Sequence, residues 1–237
     1  MEETTLDILA FGAHADDVEI GMGGTLKKMA EEGKKTGICD LTEAELSSNG
    51  TVFKRHHEAR HAGEILSVTT RLNMKFPDRG LTLSDDKISA LVKIIRTKKP
   101  QVVFVPYAED RHPDHGHAAQ LVEEAVFSAG IRKYQPNLGE AHKVTRIYYY
   151  FINGFHRPQF TINITNQIEA KKQALEAYES QFTLSSDSVA TPLTNGYVNK
   201  VIYREYLYGK ESGVDYAEGF MAKSLMCLEE FPLGERI

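Results

Sequence analysis

Thiol is scarce in this chain. Its 237 residues include two cysteines, Cys39 and Cys227, which lie far apart and outside any Cys-x-x-Cys pair. Each has apolar sequence neighbours, so both are expected to be buried thiols acting as small hydrophobes, in a reducing compartment. Basic residues are not in excess either. Lys and Arg number 28 against 33 Asp and Glu, a net charge of −5, which removes any general electrostatic reason to bind nucleic acid or an anionic membrane. No apolar run approaches the ~20 residues that cross a bilayer. The first five residues are acidic and polar, unlike the basic start and apolar stretch of a secretory signal. These absences lead to the expectation of a cytoplasmic protein without nucleic-acid or membrane partners. Internal repeats, low-complexity tracts and a clear linker are absent as well.

What is present is an ordinary core-forming composition, 41% apolar and 26% charged, on a length that suits one domain over residues 1–237. Short apolar runs alternate with amphipathic stretches. Strands are expected at 6–11, 35–41, 71–76 and 101–106, and helices at 20–32, 52–66, 84–97 and 115–129. That alternation implies βαβ units, right-handed crossovers and a mostly parallel central sheet with helices on both faces, an α/β three-layer sandwich. Residues 131–237 are less regular. Strands at 147–152 and 160–164, a helix at 167–179, a polar loop at 180–199 and a helix at 201–208 are read there.

Chemistry concentrates in two loops. The first, Gly12-Ala13-His14-Ala15-Asp16-Asp17-Val18-Glu19, directly follows the first strand. In open α/β sheets ligands lie beyond the carboxyl ends of strands, near the switch point. Imidazole and carboxylates are zinc ligands, and a turn aims His14 and Asp17 at one ion while Asp16 stays free to take a proton. An Asp-rich turn capping the next helix is the plainer alternative. A phosphate loop is a weak rival, because Gly21-Met22-Gly23-Gly24 does not have G-x-G-x-x-G spacing. Gly23 and Gly24 read better as places of close helix–sheet packing.

The second loop, Tyr107-Ala108-Glu109-Asp110-Arg111-His112-Pro113-Asp114-His115, follows the fourth strand. Pro113 fits the first turn of the next helix and biases His112 towards an extended backbone. One of His112 and His115 is available to a metal while the other does acid/base or oxyanion work. Asp114 is placed to hold an imidazole in one tautomer. Together the loops supply His, Asp and His. Three protein ligands with an open position mark a catalytic zinc, which activates water for attack on a carbonyl.

The two motifs, His14-Ala15-Asp16-Asp17 and His112-Pro113-Asp114-His115, resemble those of the LmbE-like (PIG-L) deacetylases, a Rossmann-like family. Leu41–Ala44, Ser48–Thr51, Pro77–Gly80, Tyr178–Phe182 and Tyr216–Phe220 are similar to its bacillithiol-synthesis branch. The resemblance implies a zinc-dependent hydrolase that removes acetate from N-acetylglucosaminyl-L-malate; relatives act on N-acetylglucosamine or its oligomers, and an amide conjugate of a thiol is a further substrate for the scaffold. It implies one Zn²⁺ per chain on His14, Asp17 and His115, with Fe²⁺ as the other candidate. Asp16 is then the general base. His112, oriented by Asp114, stabilises the oxyanion or protonates the amine. Tyr197 polarises the carbonyl from a mobile loop, and Arg55, Ser48, Asn49 and Lys143 contact substrate. Homohexamers are implied too.

Overall fold

The computed structural model describes residues 4–186 and 188–227. Residues 1–3 of the acidic and polar start, and Asp187 of the polar loop, lie outside the described residues. Strands β1 (Ile8–Gly12), β2 (Thr36–Thr42), β3 (Thr70–Phe76) and β4 (Val102–Pro106) alternate with helices α1 (Asp17–Glu31), α2 (Val52–Ile65) and α3 (Asp85–Lys98), and α4 (Pro113–Ala129) follows β4. β5 (Arg146–Tyr150), β6 (Phe160–Asn163), α5 (Ile168–Glu176), α6 (Glu179–Phe182), α7 (Tyr197–Glu211) and β7 (Ala217–Ala222) complete the chain. All seven strands form one sheet in the order β3-β2-β1-β4-β5-β7-β6. Every pairing is parallel except those of β7 with β5 and with β6.

The apolar runs form strands because both faces of the sheet are covered. In β1, Leu9 and Phe11 enter a core shared with Leu91, Val92 and Ile95 of α3 and Leu121 and Val122 of α4. Their neighbours Ile8 and Ala10 enter the opposite core, with Val18 and Leu26 of α1 and Val201 of α7. A strand buried on both sides cannot show polar alternation, which is why these segments read as continuous apolar runs. Because β2 and β4 flank β1 on opposite sides, the chain reverses direction of travel at the gap between β1 and β4. Ligand crevices form at such switch points, and both chemical loops open there.

Four local expectations change. β7 was not expected as a strand, and α7 begins at Tyr197, four residues before the expected 201. The expected loop thus narrows to residues 183–196. The tight glycines of α1 are Gly21 and Gly24, where a methyl group would fall 2.0 Å from Tyr150 and 2.7 Å from Ile164; at Gly23 the nearest atom is an ordinary 3.5 Å away. Cys39 is buried as expected, but Cys227 is exposed beyond the last strand.

Charge is also built into the core. Lys171 of α5 is fully buried and donates to Glu205 of α7 (2.7 Å), Glu218 of β7 (2.6 Å) and the carbonyl of Ile20 (2.9 Å). Glu218 in turn accepts from the main-chain N–H groups of Gly24 and Thr25 at 2.9 and 2.6 Å. These donors are freed where α1 kinks at Met22, whose φ of −151° is non-helical. Arg71 of β3 grips Asp40 of β2 with two bonds of 2.8 and 2.9 Å and reaches Glu19 of α1 at 2.5 Å. No described helix is long and apolar enough to cross a membrane.

Candidate active site

The loop after β1 turns sharply at Asp16, whose φ of +117° is a conformation that side chains other than glycine rarely adopt. Such outliers persist where the surroundings hold them in place. Asp16 precedes α1 without capping it, so its carboxylate stays free of the helix. Asp17 begins α1, and its Oδ2 accepts from the main-chain N–H of His14 at 2.8 Å. The loop after β4 is held from within. Asp110 accepts from the N–H of His112 at 2.8 Å, and His112 is the extended residue before Pro113 that starts α4.

The two loops bring the ligand set together. His14 Nδ1 lies 3.6 Å from Asp17 Oδ2, and His115 Nε2 lies 3.2 Å from Asp17 Oδ1. Asp17 thus stands between the two rings, one carboxylate oxygen towards each. One ring nitrogen each of His14, His112 and His115 also lie within 4.8 Å of one another. The rings are backed by carboxylates. His14 Nε2 faces Asp78 at 3.2 Å and Asp114 at 3.7 Å, and His115 Nδ1 lies 2.9 Å from Asp110.

Electrostatics point the same way. Burial alone would make the two rings harder to charge. Instead Asp114, Asp17 and Asp78 hold the His14 pKa well above its usual value, and Asp17 and Asp110 lift that of His115 to about 9. The pocket draws positive charge to these rings. Burial would raise Asp17, but His115 and His14 keep it well below the usual carboxylate range. Asp16 behaves oppositely. Burial pushes it up to about 7, with Arg55 and His14 opposing and Asp17 and Glu19 reinforcing the rise. A carboxylate poised near neutrality suits a general base.

His112 is tuned to stay neutral, its pKa lowered by burial and by the neighbouring His14 and His115. Its Nδ1 accepts from the main-chain N–H of Asp114 at 3.3 Å, so the neutral ring carries its proton on Nε2. The backbone of Asp114 therefore fixes the tautomer, and its side chain does not. That carboxylate faces His14 and accepts from Arg79, at 2.7 Å from the guanidinium and 3.0 Å from the main chain.

A cavity of about 510 Å³ opens over this constellation, lined among others by His14, Asp16, Asp17, His112, His115, Ser48, Asn49, Arg55 and Tyr197. The remaining expected residues fall out unevenly. Ser48 and Asn49 reach the pocket, but the Asn49 amide is bonded both ways to the backbone of Val189 at 2.8 Å, so it clamps the 183–196 segment over the site. Arg55 is 2% exposed and lies 3.4 Å from Asp16 Oδ2, with Nη2 donating to the Ala15 carbonyl. Its Nε and Nη1 are buried without a hydrogen-bond partner among the described residues, and the guanidinium carbon lies 5.7 Å from the centroid of the Tyr178 ring. Tyr197 is buried at the start of α7, its hydroxyl 3.0 Å from both the Ile152 carbonyl and Asn153 Oδ1. It thus belongs to a helix, contrary to the expectation of a mobile loop. Lys143 is not brought to the site. It is exposed and precedes β5, whose amino end lies on the sheet edge opposite the pocket.

Sequence reasoning missed Asp78, Asp110 and Asn153. Asn153 donates to both Asp110 oxygens, at 2.9 and 3.0 Å, and accepts from Tyr197, tying the end of β5 to the second loop. Asp110→Ala is expected to weaken divalent-metal affinity about 10–100-fold, as loss of a carboxylate behind a metal-binding imidazole usually does. Competition with a chromophoric chelator measures this, and unchanged affinity would show that Asp110 serves the loop alone.

Comparison with known proteins agrees with this geometry. The signature of the family described as PIG-L, GlcNAc-PI de-N-acetylase, matches residues 9–126. The chain is 30% identical over 230 residues to the diacetylchitobiose deacetylase of Thermococcus kodakarensis, covering 90% of this chain and 81% of that protein. A conserved protein of Thermus thermophilus superimposes with a TM-score of 0.86 at 36% identity, covering 98% of this chain and all of that one. The N,N'-diacetylchitobiose deacetylase of Pyrococcus horikoshii shares the fold, with a TM-score of 0.79 at 24% identity over 91% of this chain and 82% of that one. With the His/Asp cluster, the adjacent carboxylate and these relatives in agreement, the chain belongs to the PIG-L (GlcNAc-PI de-N-acetylase) family of deacetylases.

Proposed function

We propose that this enzyme hydrolyses the acetamide of an N-acetylglucosamine-type substrate, releasing acetate and the free amine. N-acetylglucosaminyl-L-malate of bacillithiol synthesis is its substrate and zinc its metal. The observation that carries the reading is Asp17 set between His14 and His115, with Asp16 beside it, buried and poised near neutrality. The deacetylases among its relatives support the reaction class. The malate glycoside rests on the resemblance of Ser48–Thr51, Pro77–Gly80 and Tyr216–Phe220 to the bacillithiol branch, as do a homohexamer and a cytoplasmic location.

His14, Asp17 and His115 would hold the ion, which supplies Lewis-acid polarisation of the carbonyl and a more acidic attacking water. Asp16 takes the proton of that water. His112 faces the same pocket with a proton on Nε2, placed to donate to the carbonyl oxygen as it gains charge or to the departing nitrogen. Arg55 holds Asp16 in place and lines the pocket that takes the sugar. Asp114 positions His14 from behind. Tyr197 braces the pocket wall through Asn153.

The test is acetate release from N-acetylglucosaminyl-L-malate, N-acetylglucosamine and diacetylchitobiose by protein loaded with zinc or iron and by protein stripped of metal. The malate glycoside is expected to have the highest kcat/KM, with zinc restoring activity to the stripped enzyme. Preference for diacetylchitobiose would move the substrate to that of the Thermococcus relative. No acetate from any of them would overturn the reading.

A further inference from the structure

One arginine from the far end of the chain touches both arms of the site. Arg204 of α7 is buried, and its guanidinium donates through Nη1 to the main-chain carbonyl of Ile152 and through Nη2 to that of Ile20, each at 2.9 Å. Glu205 lies against the same group, its Oε1 2.8 Å from Nη2. Neither carbonyl belongs to a regular ladder. In an unbroken helix Ile20 would accept from the N–H of Gly24, four residues on. The kink at Met22 gives that N–H to Glu218 and leaves the carbonyl to Arg204 and Lys171. Ile152 lies just past the end of β5.

Each carbonyl leads by a short run of bonds to the site. On one side, the N–H of Ile20 donates to the Asp16 carbonyl at 2.9 Å, so a fixed Ile20 fixes the first turn of α1, where Asp16 and Asp17 stand. On the other, Asn153 follows Ile152 and donates to both oxygens of Asp110, at 2.9 and 3.0 Å, and Asp110 Oδ1 lies 2.9 Å from His115 Nδ1. The two runs meet where His115 Nε2 faces Asp17 Oδ1 at 3.2 Å. They close a ring with the guanidinium opposite that meeting point. A guanidinium is planar and its donors keep a fixed spacing, so two carbonyls gripped by it cannot move independently. Lys171 also holds Ile20, but as a point charge whose other bonds go to Glu205 and Glu218.

From this we infer that Arg204 is a positioning residue of the metal site, which sets the distance between the loop that carries Asp17 and the loop that carries His115. It acts through its neighbours, since the catalytic cavity is lined without it. The inference rests on the reading of His14, Asp17 and His115 as metal ligands, and adds a residue outside both motifs that holds two of them in register.

The test is Arg204→Lys, which keeps the charge beside Glu205 but replaces the fork by one ammonium. Zinc affinity, read by competition with a chromophoric chelator, is expected to fall roughly tenfold, the lower end of what groups behind metal ligands contribute. At saturating zinc, kcat should fall by up to about 10²-fold, the cost of a small misplacement made far from the chemistry, with KM little changed. Arg96→Lys is the control. Arg96 is equally buried and also grips main-chain carbonyls, those of Ala129, Ile131 and Tyr134 among them, but at the end of α4. Its replacement should lower Tm and leave zinc affinity as it is. Asn153→Ala interrupts the relay beyond Ile152 without removing a charge. Combined with Arg204→Lys it should cost clearly less than the sum of the two, as members of one run of contacts do. Wild-type affinity in Arg204→Lys, an equal loss in Arg96→Lys, or additive losses in the double variant would overturn the assignment. If Arg204→Lys gives no folded protein, Asn153→Ala decides alone, and wild-type affinity there counts against the relay. Wild-type protein that takes up no divalent ion would instead sink the metal-site reading itself.

Discussion

Replacing Asp16 by Asn is expected to lower kcat for acetate release by about 10²–10⁴, the usual contribution of a positioned general base. Metal content and fold should be unchanged. Asn is the informative substitution for two reasons. It keeps the shape while removing the basic oxygen pair, and it tolerates the positive φ that position 16 demands better than Ala would. Arg55 would then lie against a neutral amide at 3.4 Å, which leaves its charge less compensated but still bonded to the Ala15 carbonyl. A metal-loaded variant with near-normal kcat would take Asp16 out of the proton transfer. It would leave Asp78, Asp114 and Asp110 as the other carboxylates near these rings, although the first two already face His14 and the third His115.

The second large effect concerns stability. Lys171→Met should destabilise the protein by about 3–5 kcal/mol, the range seen when one partner of a buried ion pair is removed. Glu205 would keep Arg204, but Glu218 would keep only the two N–H groups of α1 and would face Glu205 without the ammonium between them. For a chain of this size that corresponds to a fall in Tm of roughly 6–20 °C. Urea unfolding followed by circular dichroism measures it. Adding Glu218→Gln to Lys171→Met should recover part of the loss, because the uncompensated charge is then gone. A loss well under about 1 kcal/mol, the level of an exposed pair, would mean that water reaches the network.

The legible parts of this molecule were those whose signal is local. β1, β2 and β4 are buried on both faces and so appear as apolar runs, and the catalytic loops carry more His and Asp than a solvated turn needs. The rest depends on contacts between distant residues. Asp78 reaches His14 across 64 positions, and nothing in Pro77-Asp78-Arg79-Gly80 alone shows that β3 ends beside β2, one strand away from β1. Asp110 looked like one more acid in a charged loop until the end of β5 delivered Asn153 to it. β7 escaped notice because Ala-Glu-Gly-Phe-Met-Ala has weak strand preference and its buried Glu218 reads as a surface residue. α7 was entered late because Gly196 precedes it where a capping Ser, Thr, Asp or Asn would announce a helix. Lys143 went astray through likeness to relatives, even though its place just before β5 already assigned it to the far edge of the sheet.

The bond between Glu218 and the first helix also has a meaning in time. Gly24 and the residue that satisfies its N–H are made 194 positions apart. At about 5–20 residues per second, a ribosome takes roughly 10–40 s to travel that distance. Throughout that interval His14 and Asp17 are already synthesised, just before and at the start of a helix whose kink has no carboxylate to close it. The family signature ends at residue 126, yet a nascent chain of that length lacks the strand that completes α1. The carboxylate that closes the kink of α1 thus arrives only with β7, which pairs beside β5.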